Sequence, residues 1–377
     1  MRKGRYVLFV EQEVLCYNVG WMVRIMNTEL RKVNEQKINM EDIRWAAKLI
    51  QQKELVAFPT ETVYGLGANG LEPDAAAKIY AAKGRPSDNP LILHIASEEQ
   101  LIPLVAEIPE MAKKAMDAFW PGPMTMIFKK SDIVPMTTTG GLKTVAIRMP
   151  NHPIALALIK ESGCPIAAPS ANTSGRPSPT KAEHVYEDMK GKIPCILDGG
   201  MVGIGIESTI VDFTGENPMI LRPGFITKQM LEEVVGVPVL IDPVVLDGKK
   251  AATKAPKAPG MKYKHYAPKA DMILVSGESK RVIAYINEQA EKAQSEGKRV
   301  GVIGTDETVL EYHADVVKSI GRKESDDTIA HYLYDVLRQF DHEEIDVIFS
   351  EVFESGENGF AIMNRLSKAA GYDRIEV

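Results

Sequence analysis

LVAFPTETVYGLGANG, residues 55 to 70, sets four apolar side chains directly before a proline and a cluster of polar ones. Leu55 to Phe58 read as a short buried strand. Pro59 has no N–H for a ladder and halts it, and Thr60, Glu61, Thr62 and Tyr64 follow as a polar turn. Gly65, Gly67 and Gly70 are expected to allow positive φ and close approach of backbone to a ligand. Further on, AAKGRPSDNPL brings Lys83 and Arg85 together. An anion-binding mouth is the simplest reading of this strand, turn and cation pair; a hydroxyl-rich connection without a ligand is the alternative.

Upstream, MEDIRWAAKLIQQ places Ile43, Ala46, Ala47 and Ile50 on one face of an amphipathic helix that feeds the strand. Downstream, PDAAAKIYAAKG carries Pro73 where a first helical turn tolerates it, and its alanines keep it narrow enough to pack on a sheet. The chain then turns at Pro86 and Asn89-Pro90 into the strand LILHI, where His94 stands among aliphatics and by itself suits a core role better than a ligand role. A helix ending near Phe119, the strand MTMIFKK and a strand ending at Arg148 follow. Pro169 to Thr180 gather small residues, hydroxyls and prolines in a loop that offers many donors without bulk. Ser208, Thr209 and Arg222 fall near the ends of the strands in ESTIVDF and MILRPG. The hydroxyls of Thr137 to Thr139 fit a phosphate contact or a plain loop equally.

From Gly236 to Lys269 the chain is rich in Lys, Ala, Pro and Gly without an apolar period, which reads as an interdomain linker. Tyr263, His265 and Tyr266 suit a bare tether poorly, because aromatic residues are depleted in such segments. From Ala270 strands and helices alternate, as in a small parallel α/β domain, with neither GxGxxG nor GxxxxGK[ST] in it. At the other end, residues 1 to 26 begin basic and then apolar, but Glu11, Gln12 and Glu13 cut the run and no A-x-A-like site follows. That segment reads as an over-long start or a dispensable arm.

A chain of 377 residues, 45% hydrophobic and 25% charged, has the size of two globular domains. Its formal net charge of -6 argues against wrapping nucleic acid non-specifically, which needs a basic footprint. Cys16, Cys164 and Cys195 form no CxxC pair and suggest neither a disulfide framework nor a zinc site, which points to a reducing, cytoplasmic setting. No run of eighteen apolar residues is present to span a membrane. Lys83, Arg85, Arg148 and Arg222, with hydroxyls in separate loops, suit a polyphosphate such as ATP, since charge-assisted hydrogen bonds contribute about 1.5–3 kcal/mol each. No Ser-His-Asp order, HExxH or carboxylate pair stands out, which shifts weight to direct transfer between bound substrates.

PTETVYGLG, KGRPSDNPLILHI, SANTSGRPSPT, ESTIVD and LRPG, then PGMKYKHYAP and a C-terminal α/β unit, together resemble the threonylcarbamoyl-AMP synthase family in its two-domain form, over roughly residues 38 to 377. The resemblance implies an α/β protein with a twisted mixed-sheet, YrdC-like catalytic domain at 38–235, a linker at 236–269 and a smaller Rossmann-like domain at 270–377. It implies that L-threonine, bicarbonate or CO2, and ATP are joined into threonylcarbamoyl-AMP, with pyrophosphate released. The product would pass to the machinery that modifies tRNA, with at most a weak tRNA contact here. By motif, Thr62, His94, Arg148, Ala168 and Ser208 would contact threonine. Arg85, Asn89, Thr144, Ser170, Asn172, Ser178 and Arg222 would hold ATP, and Tyr263 would close over it. Lys83 and Arg85 would neutralise charge in the reaction, and Mg2+ would arrive on the ATP phosphates rather than on protein ligands. The rivals are an RNA-binding module without turnover and a carbamoyl transferase of the hydrogenase-maturation type.

Overall fold

The computed structural model describes residues 7–10, 13–18, 21–246, 256–259, 261, 265–353, 356 and 358–377, with the backbone alone described before Met26. Strands β1 (Val7–Val10), β2 (Glu13–Asn18) and β3 (Trp21–Met26) form an antiparallel sheet of their own. These three strands fall within the segment read as an over-long start or a dispensable arm.

The first large unit runs β4 (Glu29–Lys32), α1 (Met40–Gln51), β5 (Val56–Phe58), β6 (Gly65–Asn69), α2 (Pro73–Lys83), β7 (Ile92–His94), α3 (Glu110–Phe119), β8 (Met124–Lys129), β9 (Thr144–Arg148), α4 (Pro153–Ser162), β10 (Ile166–Ala167), α5 (Ala182–Met189), β11 (Cys195–Asp198), β12 (Thr209–Asp212), β13 (Met219–Arg222), α6 (Lys228–Val235), β14 (Leu240–Ile241) and α7 (Pro243–Leu246). Its eleven strands lie in the order β14-β13-β12-β8-β9-β7-β10-β6-β5-β11-β4, a mixed sheet. The sheet takes in β4, ahead of residue 38, and β14, beyond residue 235, so it extends past both expected bounds. These edge strands are short and only partly buried, and leave little hydrophobic pattern to read.

Local chemistry explains the elements that matter. Asn39 caps α1, its side chain accepting from the Glu41 amide, and Ile43, Ala46, Ala47 and Ile50 are buried as expected. Pro73 opens α2, and Gly84, at φ 61, ends it in a left-handed turn that sends Arg85 back toward the sheet. The central stretch differs from expectation in one respect. Gly65 and Gly67 lie in β6, antiparallel to β5, and neither they nor Gly70 has positive φ. A Cβ on Gly67 would stand 2.8 Å from the side chains of Ile166 and Phe58, and one on Gly70 would stand 2.2 Å from Leu93. These two glycines therefore let elements of the protein approach one another, not a ligand.

The second unit, β15 (Asp271–Ser276), α8 (Ser279–Ser295), β16 (Val300–Gly304), β17 (Val316–Ser319), α9 (Asp326–Phe340), β18 (Val347–Glu351), α10 (Gly359–Ala369) and β19 (Arg374–Glu376), is a parallel sheet ordered β17-β16-β18-β15-β19. Parallel strands with helical crossovers are the expected form; β19 adds an edge the sequence did not announce. One hydrophobic cluster joins the two units: Val63 and Ile206 of the first pack with Tyr266, Leu333 and Tyr334. Among the described residues no helix is long and apolar enough to cross a membrane.

Candidate active site

Strand ends and loops of the first unit converge on one basin of about 700 Å³ measured out to its mouth. Thr62, Lys83, Arg85, His94, Arg148, Ala168, Ser170, Asn172, Ser178, Ser208 and Arg222 all line it. Thr62 comes from the turn after β5, Lys83 and Arg85 from the end of α2, and His94 and Arg148 from β7 and β9. The parallel register sets these last two directly opposite each other. Asn89 and Thr144 do not line the basin. The Asn89 side chain is buried behind Arg85, whose Nε donates to its carbonyl at 3.4 Å, and Thr144 opens β9 at the end away from Arg148. Tyr263 lies outside the described residues; its neighbours His265 and Tyr266 line the basin.

At one end, Arg148 Nη1 donates to Thr62 Oγ1 at 2.8 Å, its Nε to the Gly122 carbonyl at 3.2 Å, and its Nη2 pairs with Glu61 at 2.7 Å. Thr60 and Thr62 share a 2.8 Å hydroxyl contact, and Thr60 donates to the Val63 carbonyl, which fixes the turn. His94 sits edge-on to Phe58 with Nδ1 3.2 Å from the Ile92 carbonyl. Burial, and secondarily the Arg148 charge, pulls the His94 pKa down to about 3, so the ring is neutral near pH 7. The Ala168 amide is spent on the Ile92 carbonyl, which leaves its own carbonyl as the polar group it can offer.

Arg222 donates from Nε to the Ser208 carbonyl and from Nη2 to Ser208 Oγ, both at 3.1 Å, and Ser208 Oγ meets Thr125 Oγ1 at 2.7 Å. Lys83 Nζ donates to the carbonyls of Ser170 and Asn172, which pins the Pro169–Thr180 loop over the basin. Burial, then the nearby Arg85, pushes its pKa well below the usual ammonium value. Burial likewise lowers Arg85 to about 10. Ser178 Oγ donates to Glu207 Oε1 at 2.5 Å. The Thr138 and Thr139 hydroxyls bond the carbonyls of Gly70 and Leu142 at 2.8 Å each, so both serve the loop.

Lys83, Arg85, Arg148, Arg176 and Arg222 line the basin with one carboxylate, Glu207; from outside the lining Glu61 pairs with Arg148, and Asp188 and Asp341 pair with Arg176, so the excess of positive charge is concentrated at Lys83, Arg85 and Arg222. Such an excess in a largely desolvated hollow is costly unless an anionic ligand joins it. Sequence reasoning gave no site role to Glu207 or to the bracing Glu61. Both stood inside quoted motifs, and a carboxylate flanked by hydroxyls was the available signal.

Fold and basin together define an α/β protein whose cationic basin suits a polyanionic ligand. Two family models match the chain. One, described as Telomere recombination, covers residues 48–224, and the other, described as Threonylcarbamoyl-AMP synthase, C-terminal domain, covers residues 226–371. The threonylcarbamoyl-AMP synthase of Pyrococcus abyssi is 52% identical over 345 residues, 91% of this chain and 98% of that one. That of Bacillus subtilis is 52% identical over 339 residues, covering 90% and 95%. The solved structure of P. abyssi Sua5 complexed with L-threonine superposes with a TM-score of 0.87 at 50% identity, covering 93% of this chain and 99% of that one. The chain belongs to the threonylcarbamoyl-AMP synthase family, and its activity is the nucleotidyl transfer that makes threonylcarbamoyl-AMP for tRNA modification.

Proposed function

We propose that threonine and ATP occupy opposite ends of this basin and meet at its centre. Arg148, neutral His94, Thr62, Ser208 and the Ala168 carbonyl take L-threonine. Arg85, Ser170, Asn172, Ser178 and Arg222 take ATP, with Tyr263 closing over it and Asn89 and Thr144 supporting from outside the lining. The excess of buried cations over carboxylates is the observation that carries this reading.

The neutral threonine amine adds to CO2 and loses a proton, or condenses with bicarbonate and loses water, and the resulting N-carboxylate attacks the α-phosphorus as pyrophosphate leaves. Arg85 faces the charge that develops on phosphate. Lys83 acts from beneath, by its field and by holding the Ser170–Asn172 carbonyls in place. A cationic environment favours the neutral amine. The donor set does not fit a resident metal. Among the described residues no group of three or more His, Cys, Asp or Glu gathers, and both Glu207 oxygens are engaged by Ser178, Tyr334 and Arg365. Mg2+ therefore belongs to the substrate, on the ATP phosphates. The product is handed to the tRNA threonylcarbamoyl-transfer machinery in the cytoplasm, with only weak tRNA contact here.

Incubation with ATP, L-threonine and labelled bicarbonate tests the whole reading. Pyrophosphate and a labelled adenylate should appear together and only with all three present; pyrophosphate release indifferent to threonine would overturn it.

A further inference from the structure

Ser178 is oriented by groups of the second domain, although among the described residues none beyond Tyr266 lines the basin. Its hydroxyl hydrogen goes to Glu207 Oε1. The other oxygen of that carboxylate accepts from the Tyr334 hydroxyl at 2.8 Å and from Arg365 Nε at 3.2 Å. Tyr334 lies on α9 and Arg365 on α10, and both are fully buried. Arg365 also donates from Nη1 to the Pro223 carbonyl, next to Arg222, and from Nη2 to the Glu207 carbonyl at 3.4 Å. From α9, Arg338 donates to the Pro177 carbonyl through Nε at 3.1 Å and Nη2 at 2.7 Å, bracing the residue before Ser178. A buried Arg–Glu pair contributes little net stability compared with apolar residues of similar shape, whereas it does fix geometry.

The arrangement also decides what Ser178 can do. With Glu207 ionised, held down to about 2 against its burial by Arg365 and Arg222, the carboxylate only accepts. Ser178 must therefore spend its single hydrogen on Glu207, which leaves only oxygen lone pairs for a ligand. Lone pairs repel a phosphate oxygen and accept from an O–H or N–H.

We propose that Arg365 and Tyr334 are positioning residues that act through Glu207 to lock Ser178 as a hydrogen-bond acceptor for a nucleoside donor group, a ribose hydroxyl or the adenine amine, and not for phosphate. This rests on the ATP site proposed above and makes the second domain part of nucleotide recognition.

The experiment compares wild type with Tyr334→Phe, Arg365→Lys and Arg365→Met. For each it measures the ATP KM, the threonine KM and the inhibition constant of inorganic tripolyphosphate, which carries phosphates without a nucleoside. Tyr334→Phe removes one hydroxyl and should raise the ATP KM about threefold. Arg365→Met should raise it tenfold or more, with Arg365→Lys between. Tripolyphosphate inhibition and threonine KM should stay within twofold of wild type. Tyr334→Phe decides the matter alone if the Arg365 variants fail to fold. An ATP KM within twofold of wild type, or an equal rise for ATP and tripolyphosphate, overturns the proposal. Wild-type turnover that needs threonine and bicarbonate stands apart from either result, so failure here is distinguishable from failure of the ATP assignment.

Discussion

At the Arg148 end of the basin, Arg148, Thr62 and His94 are held by groups of the first domain, whereas at the Ser178 end the loops are tied to α9 and α10 of the second. The first end is made of strand termini, where the register of β7 against β9 fixes the side chains without outside help. The second is made of irregular loops, whose carbonyls need donors from elsewhere once buried. A rigid sheet can seat a small amino acid by itself. A site assembled from loops, as the nucleotide end proposed here is, draws on a neighbouring domain to order them.

The largest effect should separate the two ends. Arg148→Ala removes the cation assigned to the threonine carboxylate and leaves Glu61 without its partner. The kcat/KM for threonine should fall by about 100-fold or more, given ~2–5 kcal/mol for truncating one partner of a buried charge contact with a bound group. Direct ATP binding, followed calorimetrically, should change far less; an equal loss at both would erase the distinction.

Substrate analogues probe the same end more gently. Ile92, Val63 and Ala168 provide apolar lining there, and the loss of one methyl from such a pocket costs about 1–3 kcal/mol, so serine should be turned over 10- to 200-fold less well, in order of magnitude. 2-Aminobutyrate, which leaves buried hydroxyl partners unpaired, should be worse still. Equal rates for all three would refute a fitted pocket.

Acid should reach the two ends in sequence. His94 stays neutral in the folded protein down to about 3, while the unfolded chain takes up its proton near 6.5. Stability should therefore fall as pH drops below about 6.5, by up to about 1.4 kcal/mol per pH unit for this one group. Glu207, depressed to about 2, stabilises the fold above its ordinary pKa of 4.5 and loses that contribution only as pH falls from there toward 2. Urea midpoints measured from pH 7 to pH 4 should show His94→Gln flattening the upper part of the curve. An unchanged slope in that variant would assign the loss to other groups.

The smallest effect concerns the central hairpin. Gly67→Ala should destabilise the fold by about 1–3 kcal/mol through its contacts with Ile166 and Phe58, with kcat/KM of the surviving folded enzyme little changed. A selective loss of ATP binding would restore the ligand-facing reading of that glycine.

Much of the site was legible because its residues lie in loops whose composition suits anion binding better than simple connection. Hydroxyls after Pro59, the pair Lys83 and Arg85, and the small-residue loop from Pro169 all point to an anion, and the structure gathers them. Asn89 sat in the motif of Lys83 and Arg85, and Thr144 on the strand of Arg148, yet both fall outside the lining, because neighbourhood in sequence does not say which way a side chain turns. Gly67 and Gly70 were misread for a related reason: close approach was inferred correctly, but from sequence the approaching partner looked like a ligand when it is Ile166 and Phe58 at Gly67 and Leu93 at Gly70, whereas Gly65 does line the basin.

By itself the sequence determined the alternation of strands and helices, the two-unit organisation and the chemical character of the basin, since periodicity and residue type are local properties. Only the tertiary structure decided that Glu207 meets Arg365, 158 positions away, and that Tyr334 and Arg338 of a separate domain brace the loops around Ser178. Hydrogen bonds between distant segments leave no period in the chain. They exist only once two domains have packed and the buried donors and acceptors must find each other.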